Sequence, residues 1–255
     1  MLHEEFGMVS IIMATYNAEK TLAQAIESVL NQTFSNFELL VIDDCSTDRT
    51  VELIKAFMIK DSRVRLLVNK ENKGVSFTRK HGLDEAKGKW IAILDSDDEW
   101  LPEKLEKQIA LQRRRNADLI FTGSAFMDSN GKRINWNLHV PEEITYRQLL
   151  KQNVISNSSA LVRKELYERY YVMGDKMHED FAIWLRILKE GRKAYGLDEP
   201  LLIYRISKSS KSGNKIKAAK MNWNTYQYIG LSLCETFFYE CCYIMKSLMK
   251  YRNLK

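Results

Sequence analysis

The sequence predicts an α/β fold in which a mostly parallel sheet is flanked by helices. Short apolar runs rich in β-branched residues alternate with amphipathic segments of about ten residues, which is the pattern that βαβ units produce. Three of the first four apolar runs end in polar or acidic residues, at the edge where parallel sheets bind ligands. The chain of 255 residues is long enough for one large domain, or for one domain with an appendage.

The first half of the chain supplies four predicted strands, each followed by a predicted helix. The run Val9-Ser10-Ile11-Ile12-Met13-Ala14 is short, apolar and β-branched, which predicts a buried strand. Leu22, Ala25, Ile26 and Val29 follow at helical spacing. The same criteria predict strands at residues 9–14, 37–42, 64–68 and 90–94, and helices at 20–30, 50–59, 74–86 and 102–115, the last of which begins at Pro102.

After Asp118 the pattern becomes less regular. A strand at residues 119–127 is followed by a turn sequence at 128–131 and a hairpin return at 132–136. An amphipathic helix is predicted at 179–190, and Gly191 is a favourable residue at its C-terminal end. The other predicted elements are helices at 146–151 and from 164, strands at 158–162, 194–196 and 201–204, a mobile Ser/Lys-rich stretch at 205–220, and one or two helices at 221–252.

The composition indicates the cellular compartment of the protein. The four cysteines, Cys45, Cys234, Cys241 and Cys242, include no C-x-x-C pair, which argues against a zinc ribbon and favours a reducing compartment. Residues 1–8 lack the basic start and apolar run of a signal peptide. No stretch of about 18 uncharged apolar residues predicts a spanning helix. We therefore expect a cytoplasmic protein.

The net charge of +6 is concentrated in the tail. Residues 205–255 contain ten Lys or Arg and two acids, and so carry +8, which leaves −2 for residues 1–204. A slightly acidic body argues against a nucleic-acid partner, which needs a basic face. A basic, aromatic tail favours a body held at an anionic surface.

Asp95-Ser96-Asp97 directly follows a predicted buried strand. Carboxylates at such a position need a counter-charge. A divalent cation bound to a diphosphate would supply it, since hard cations prefer carboxylate and phosphate oxygens. The alternative is a solvated turn that caps the helix after Pro102.

The ordered set of motifs resembles the family 2 glycosyltransferases, whose GT-A fold has a Rossmann-like, mostly parallel sheet. The similar segments are residues 9–17, 28–33, 38–48, 72–76 with Arg79, and 95–100, and together they cover roughly residues 8–115. The second half is similar mainly at His178-Glu179-Asp180 and Tyr204-Arg205. The resemblance implies a catalytic domain at 1–205, with a nucleotide-sugar half at 1–117 and an acceptor half at 118–205. Residues 206–255 would form a basic, aromatic, helical appendage.

The resemblance also implies a UDP-sugar site. Its residues would be Thr15, Tyr16, Asn17, Asp43, Asp44, Arg79, Asp95, Ser96 and Asp97. Asp43 or Asp44, with a weak preference for Asp44, would accept the hydrogen bond from uracil N3–H; the alternative is that they cap the helix at Thr50, which Asp48 could do equally well. Arg79 would reach the base or diphosphate, or be a surface charge.

Asp97, with Asp95 beside it, would hold Mn²⁺ or Mg²⁺, and Asp95 would also contact the ribose and sugar region. Relatives carry a histidine two residues after the arginine of Tyr204-Arg205, where this chain has Ser207. That departure places metal binding more fully on Asp97.

The general base implied by the resemblance is Asp180, with Glu179 second, at the start of the helix Phe181-Ala182-Ile183-Trp184. Ordinary helix N-terminal acids are the alternative. We therefore expect an inverting, metal-dependent transferase that moves glucose, galactose or an N-acetylhexosamine from a UDP-sugar to a lipid-linked saccharide. The product would be a bacterial O-antigen, capsule or lipooligosaccharide.

Two other functions are alternatives to a glycosyltransferase. A nucleotidyltransferase would carry a Gly-rich phosphate loop near the N-terminus, and this sequence has none. A nucleotide-sugar-binding module would lack the paired acids or the base, and this sequence keeps both. For the tail, aromatic residues flanked by Lys and Arg predict contact with the inner face of the cell membrane. Packing on the body or a homodimer is the alternative.

Overall fold

The computed structural model describes residues 6–174, 176–206 and 215–251, and within those ranges ten strands form one sheet. The strands are β1 Val9–Thr15, β2 Phe37–Asp43, β3 Val64–Val68, β4 Trp90–Ile93, β5 Glu99–Trp100, β6 Leu119–Met127, β7 Arg133–Leu138, β8 Glu143–Ile144, β9 Leu161–Arg163 and β10 Ala194–Arg205. The helices are α1 Leu22–Leu30, α2 Thr50–Lys60, α3 Val75–Glu85, α4 Lys104–Arg115, α5 Tyr146–Lys151, α6 Lys164–Tyr170, α7 Glu179–Lys189, α8 Lys215–Tyr228 and α9 Leu233–Tyr251. The predicted α/β class is confirmed.

The sheet order is β3-β2-β1-β4-β9-β6-β10-β5, with β7 paired to β6 and β8 to β10. β3, β2, β1 and β4 run parallel, and their register places Thr15 beside Asp43. The carboxyl ends of these strands therefore meet at one edge of the sheet. The residues that follow β1, β2 and β4 are gathered there, as the sequence predicts.

The sheet differs from the prediction at several points. β9 pairs antiparallel with both β4 and β6, and so joins the two halves into one sheet. The two late strands are one strand, β10, whose register against β6 shifts between Leu197 and Leu202. Pro200 lies in that irregular stretch, where it cannot donate a ladder hydrogen bond. The unpredicted β5 pairs with β10 directly after the acidic turn.

Each face of the sheet has its own core. Ile12 belongs to one apolar cluster, and its neighbours Ile11 and Met13 belong to the other, because side chains alternate along a strand. The cluster around Ile11 includes residues of α1, α2 and α4, whereas the cluster around Ile12 includes residues of α3 and of α5 to α8. Trp184 is fully buried in the latter, as expected of a core residue.

The two helices assigned to the appendage, α8 and α9, pack on the body. Tyr226 in α8 is fully buried, and its hydroxyl donates to the carbonyl of Leu150 at 2.6 Å. The backbone N–H of His178 donates to Thr225 Oγ1 at 3.1 Å. The sequence predicts a mobile stretch at 205–220, but Arg205 belongs to β10 and residues 215–220 belong to α8. Residues 207–214 lie outside the described residues. The boundaries at 117 and 205 stay predictions.

In the described part of the chain, no helix combines the length and the apolar character that crossing a membrane requires.

Candidate active site

A cleft opens at the carboxyl edge of the parallel strands, and both halves of the chain line it. Asp95, Ser96 and Asp97 contribute from the end of β4, and Glu179 and Asp180 contribute from the start of α7. The other lining residues are Ala14, Val75, Arg79, Ser124, Phe126, Leu138, Asn153, Val154, Ile155, Ser156, Asn157, His178, Tyr204 and Tyr243. The predicted donor acids and the predicted base therefore share one cleft.

Arg79 links the two sides of the cleft. Its buried guanidinium donates to Glu179 Oε1 at 2.6 Å and to Asp95 Oδ1 at 2.5 Å. Burial disfavours the charge, but Asp95 and Glu179 outweigh this effect and raise the pKa of Arg79 above its ordinary value. Arg79 is therefore not a surface charge, and its hydrogen bonds are directed to two carboxylates.

The turn after β4 is held from two directions. The backbone N–H of Asp95 donates to Ser158 Oγ at 3.2 Å. On the other side, the backbone N–H of Arg205 donates to Asp98 Oδ1 at 2.9 Å, and Arg205 Nε donates to the carbonyl of Asp97 at 2.8 Å. Asp98 is thus a buried anchor of the turn, whereas Asp97 lines the cleft.

Asp97 has the chemistry of a cation ligand. Burial, followed by the negative charge of Asp95, raises the pKa of Asp97 to about 6. A carboxylate whose charge is disfavoured in this way gains from a nearby cation. Among the residues that the structure describes, no group of three or more His, Cys, Asp or Glu side chains could hold a metal ion alone. This arrangement fits Mg²⁺ or Mn²⁺ bound through one or two carboxylates together with substrate phosphates.

The loops after β1 and β2 brace each other. Asn17 has a left-handed backbone, with φ of 48°, and its N–H donates to Ser46 Oγ at 2.9 Å. The N–H of Thr47 donates back to Asn17 Oδ1 at 2.8 Å. The Thr15 hydroxyl is buried without a hydrogen-bond partner, and Tyr16 is exposed. Of this predicted trio, Asn17 thus shapes the loop, Tyr16 is open to solvent, and the Thr15 hydroxyl lies inside the protein.

The two candidate uracil acids have different surroundings. Asp44 Oδ1 accepts from Asn69 Nδ2 at 2.8 Å, and Asp44 Oδ2 accepts from the N–H of Gly74 at 2.8 Å. Burial raises the pKa of Asp44, but these and neighbouring hydrogen bonds outweigh it and lower that pKa overall. Asp43 accepts from the N–H of Ser46 through Oδ2, and its buried Oδ1 has no partner.

Asp48 fills the helix-capping role that was the alternative for Asp43 and Asp44. Asp48 Oδ1 accepts from the backbone N–H of Thr50 at 3.0 Å, at the start of α2. Neither Asp43 nor Asp44 is needed for that role. The choice between them as the uracil acceptor stays a prediction, since a carboxylate can accept more than two hydrogen bonds.

The two candidate bases differ in what they contact. Glu179 is buried, and its carboxylate pairs with Arg79. Asp180 is half-buried and lines the cleft. Burial, and then the charge of Glu179, raise the pKa of Asp180, with partial opposition from His178 and Arg79. Asp180 is therefore better suited to accept a proton, and Glu179 to hold Arg79.

Sequence reasoning missed three contributors to this site. With its amide oxygen oriented toward Arg79, Asn157 accepts from two guanidinium nitrogens at 3.2 Å and 3.3 Å. Ser158 holds the acidic turn, and Tyr243 reaches the cleft from α9. The polar run Asn157-Ser158-Ser159 inside an apolar stretch was the only signal for the first two. Nothing in the sequence distinguishes Tyr243 from the other tail aromatics.

Comparison with known proteins adds an independent line of evidence. The model of the family described as Glycosyl transferase family 2 matches residues 10–171. An Escherichia coli protein named UDP-Glc:alpha-D-GlcNAc-diphosphoundecaprenol beta-1,3-glucosyltransferase WfgD is 38% identical over 85% of this chain and 84% of its own. A second Escherichia coli protein of the same named activity, WfaP, is 34% identical over 96% of this chain and 98% of its own.

Among solved structures, S. aureus TarS 1-349 in complex with UDP-GlcNAc superposes with a TM-score of 0.70 at 21% identity. The match covers 89% of this chain and 69% of TarS 1-349. At that identity the likeness concerns the fold, and it agrees with the predicted architecture.

Proposed function

The chain belongs to glycosyl transferase family 2 and is a glycosyltransferase, and from that premise we propose a specific reaction. The enzyme moves a hexose from a UDP-sugar to a hydroxyl of a lipid-linked saccharide, with inversion at the sugar carbon. The reaction contributes to a bacterial surface polysaccharide. One observation carries the proposal: Asp97, suited to the diphosphate side, and Asp180, suited to accept a proton, line the same cleft.

The proposed chemistry is a single displacement. The acceptor oxygen attacks C1 of the sugar from the face opposite the diphosphate, the bond from C1 to the phosphate oxygen breaks, and UDP leaves. The acceptor's proton passes to Asp180. A base of raised pKa retains that proton more readily than an ordinary aspartate does.

The donor side is proposed to use the residues at the ends of β1, β2 and β4. Asp43 or Asp44 accepts from uracil N3–H, which cytosine lacks. Thr15, Tyr16 and Asn17 line the nucleoside region, and Ser96 lies beside the diphosphate. Asp97, with Asp95, would hold Mn²⁺ or Mg²⁺, which when bound neutralises charge that develops on the departing UDP.

Arg79 is proposed to act on the donor side through its carboxylate partners. It contacts Asp95 directly and Glu179 on the opposite wall. Arg79 would therefore contact the UDP-sugar while it remains hydrogen-bonded to both carboxylates. This arrangement couples the position of the acidic turn to the start of α7.

The printed activities of the two Escherichia coli relatives guide the choice of substrates. Both are named for transfer from UDP-Glc to an N-acetylglucosamine diphosphoundecaprenol. UDP-glucose is therefore the first donor to test, and a sugar diphospholipid the first acceptor. Such an acceptor keeps its sugar at the membrane surface, and we propose that the enzyme works at the inner face of the cell membrane.

A transfer assay tests the proposal. The protein is incubated with UDP-glucose, UDP-galactose, UDP-N-acetylglucosamine or UDP-N-acetylgalactosamine, a short-chain N-acetylglucosamine diphospholipid, and Mn²⁺ or Mg²⁺. We expect UDP release and an acceptor whose mass rises by one sugar, for UDP-glucose first. Transfer from a GDP-sugar with none from the UDP-sugars would overturn the donor assignment. Release of UDP without an elongated lipid would overturn the acceptor assignment.

A further inference from the structure

The last helix, α9, has two faces with different surroundings. On the inner face, Thr236 and Glu240 are buried, and Tyr239 and Tyr243 pack against the core. Glu240 accepts a hydrogen bond from Asn222 Nδ2 of α8 at 2.8 Å. The inner face is thus fully used in holding α9 on the body.

The opposite side of α9 is apolar and exposed. Phe237, Phe238, Ile244 and Met245 are each between 44% and 65% exposed. Cys241 lies between them in the sequence. With 3.6 residues in each turn, these five positions fall on one side of the helix, which we call the outer face. Scattered exposed apolar residues are ordinary, but a contiguous apolar patch marks an interaction site.

The charges of α8 and α9 indicate the kind of partner. From Lys215 to Tyr251 the chain carries five lysines and two acids. One of the acids, Glu240, is buried on the inner face. The other, Glu235, accepts from Ser232 at the start of the helix. Lys217 and Lys220 of α8 and Lys246 of α9 are exposed. An exposed apolar helix face, in a pair of helices with exposed lysines and an excess of positive charge, complements anionic lipid headgroups.

The same charges disfavour a second copy of this chain as the partner. A second copy of this chain would carry the same excess of lysines in its own α8 and α9. Like charges placed close together repel. A bilayer of anionic lipid avoids that repulsion and accepts all five apolar positions at once.

We propose that the outer face of α9 binds the surface of an anionic bilayer, with the helix lying in the plane of the interface. The inference deepens the proposed function, on which it rests for the lipid-linked acceptor. Tyr243, on the inner face of the same helix, lines the cleft. Docking through α9 therefore holds the cleft beside the layer in which the acceptor's lipid is anchored.

Vesicle binding of the full chain, without substrates, tests the inference. The variant Phe237→Gln, Phe238→Gln, Ile244→Gln, Met245→Gln changes the outer face alone. A matched control, Met58→Gln, Ile59→Gln, Val68→Gln, changes three large apolar side chains exposed elsewhere. We expect the outer-face variant to lose about tenfold or more in partition to vesicles of equal parts phosphatidylglycerol and phosphatidylcholine. The control should bind like the wild type, and vesicles of phosphatidylcholine alone should bind the wild type more weakly.

Melting temperature, activity and sedimentation separate membrane binding from loss of folding and from dimerisation. Both variants should keep the wild-type melting temperature and the wild-type activity on a soluble acceptor analogue, since the changed side chains are exposed. Equal partition of the outer-face variant and the wild type would overturn the inference. So would a wild-type protein that stays out of the vesicles and sediments as a dimer that the outer-face variant disrupts. A protein that binds vesicles but transfers no sugar would overturn the proposed function and leave this inference standing.

Discussion

Replacing Arg79 with methionine tests the link between the two sides of the cleft. The guanidinium is 7% exposed and Glu179 is 8% exposed, with 2.6 Å between their atoms. The variant leaves the Glu179 carboxylate buried without its cation. Removing one partner of a buried pair costs about 3–5 kcal/mol, a large part of the roughly 5–15 kcal/mol by which domains are stable. Asp95 is 35% exposed, so its loss of the same partner is screened and adds less.

Urea denaturation at pH 8, followed by circular dichroism, measures the loss. The double variant Arg79→Met, Glu179→Gln should recover much of the stability, because no buried charge remains unpaired. Lys107→Met is the matched control, since the pair of Lys107 with Glu199 is about half exposed on both sides; its loss should cost about 0–1 kcal/mol. If Arg79→Met costs no more than this control, the carboxylates do not depend on Arg79.

Three further predictions concern the donor and the base. Asp97→Asn should abolish metal-dependent turnover without lowering the melting temperature, because burial and Asp95 already disfavour the charge of Asp97; full wild-type activity in EDTA would contradict the metal assignment. Asp43→Ala or Asp44→Ala should weaken UDP binding by about 1.5–3 kcal/mol in calorimetry, the range for a hydrogen bond to a charged group, and unchanged affinity in both single variants would exclude them. The pH dependence of kcat at saturating metal should show an acid limb above the ordinary pKa of an aspartate, because Asp180 must be ionised and its pKa is raised by burial and by Glu179. Glu179→Gln removes that negative charge, so the limb should move to lower pH; a limb that stays in place would argue against Asp180 as the titrating group.

The donor half of the site could be predicted from the sequence because it depends on local patterns. Buried β-branched runs define β1, β2 and β4, and the topology of a parallel sheet brings their ends together. The acidic turn at Asp95 follows directly from its place after β4. The structure confirms these strands and brings the predicted residues to one edge of the sheet.

The rest depends on contacts between distant parts of the chain. Arg79 and Glu179 are 100 positions apart, and no spacing rule connects them. β9 is only three residues long, and its antiparallel pairing on both sides is decided by packing rather than by its own sequence. A basic, aromatic tail is compatible with a membrane surface or with a core, and α9 uses one face for packing while the other stays exposed.

The packing of α8 also changes how the tail should be probed. A deletion of residues 221–255 would remove Tyr226 from the core together with the outer face of α9. Unfolding of such a truncated protein would report on the lost core contacts. Substitutions confined to exposed side chains separate the two contributions.

The most direct test of the central claim compares Asp180→Asn with the wild type in the same transfer assay, alongside UDP affinity. Asparagine keeps the size of the side chain but cannot accept the acceptor's proton. We predict that kcat falls by roughly 10²–10⁴-fold, the scale of a lost general base, while the Kd for UDP stays unchanged. A variant that binds UDP normally and turns over at the wild-type rate would contradict the assignment of Asp180 as the base.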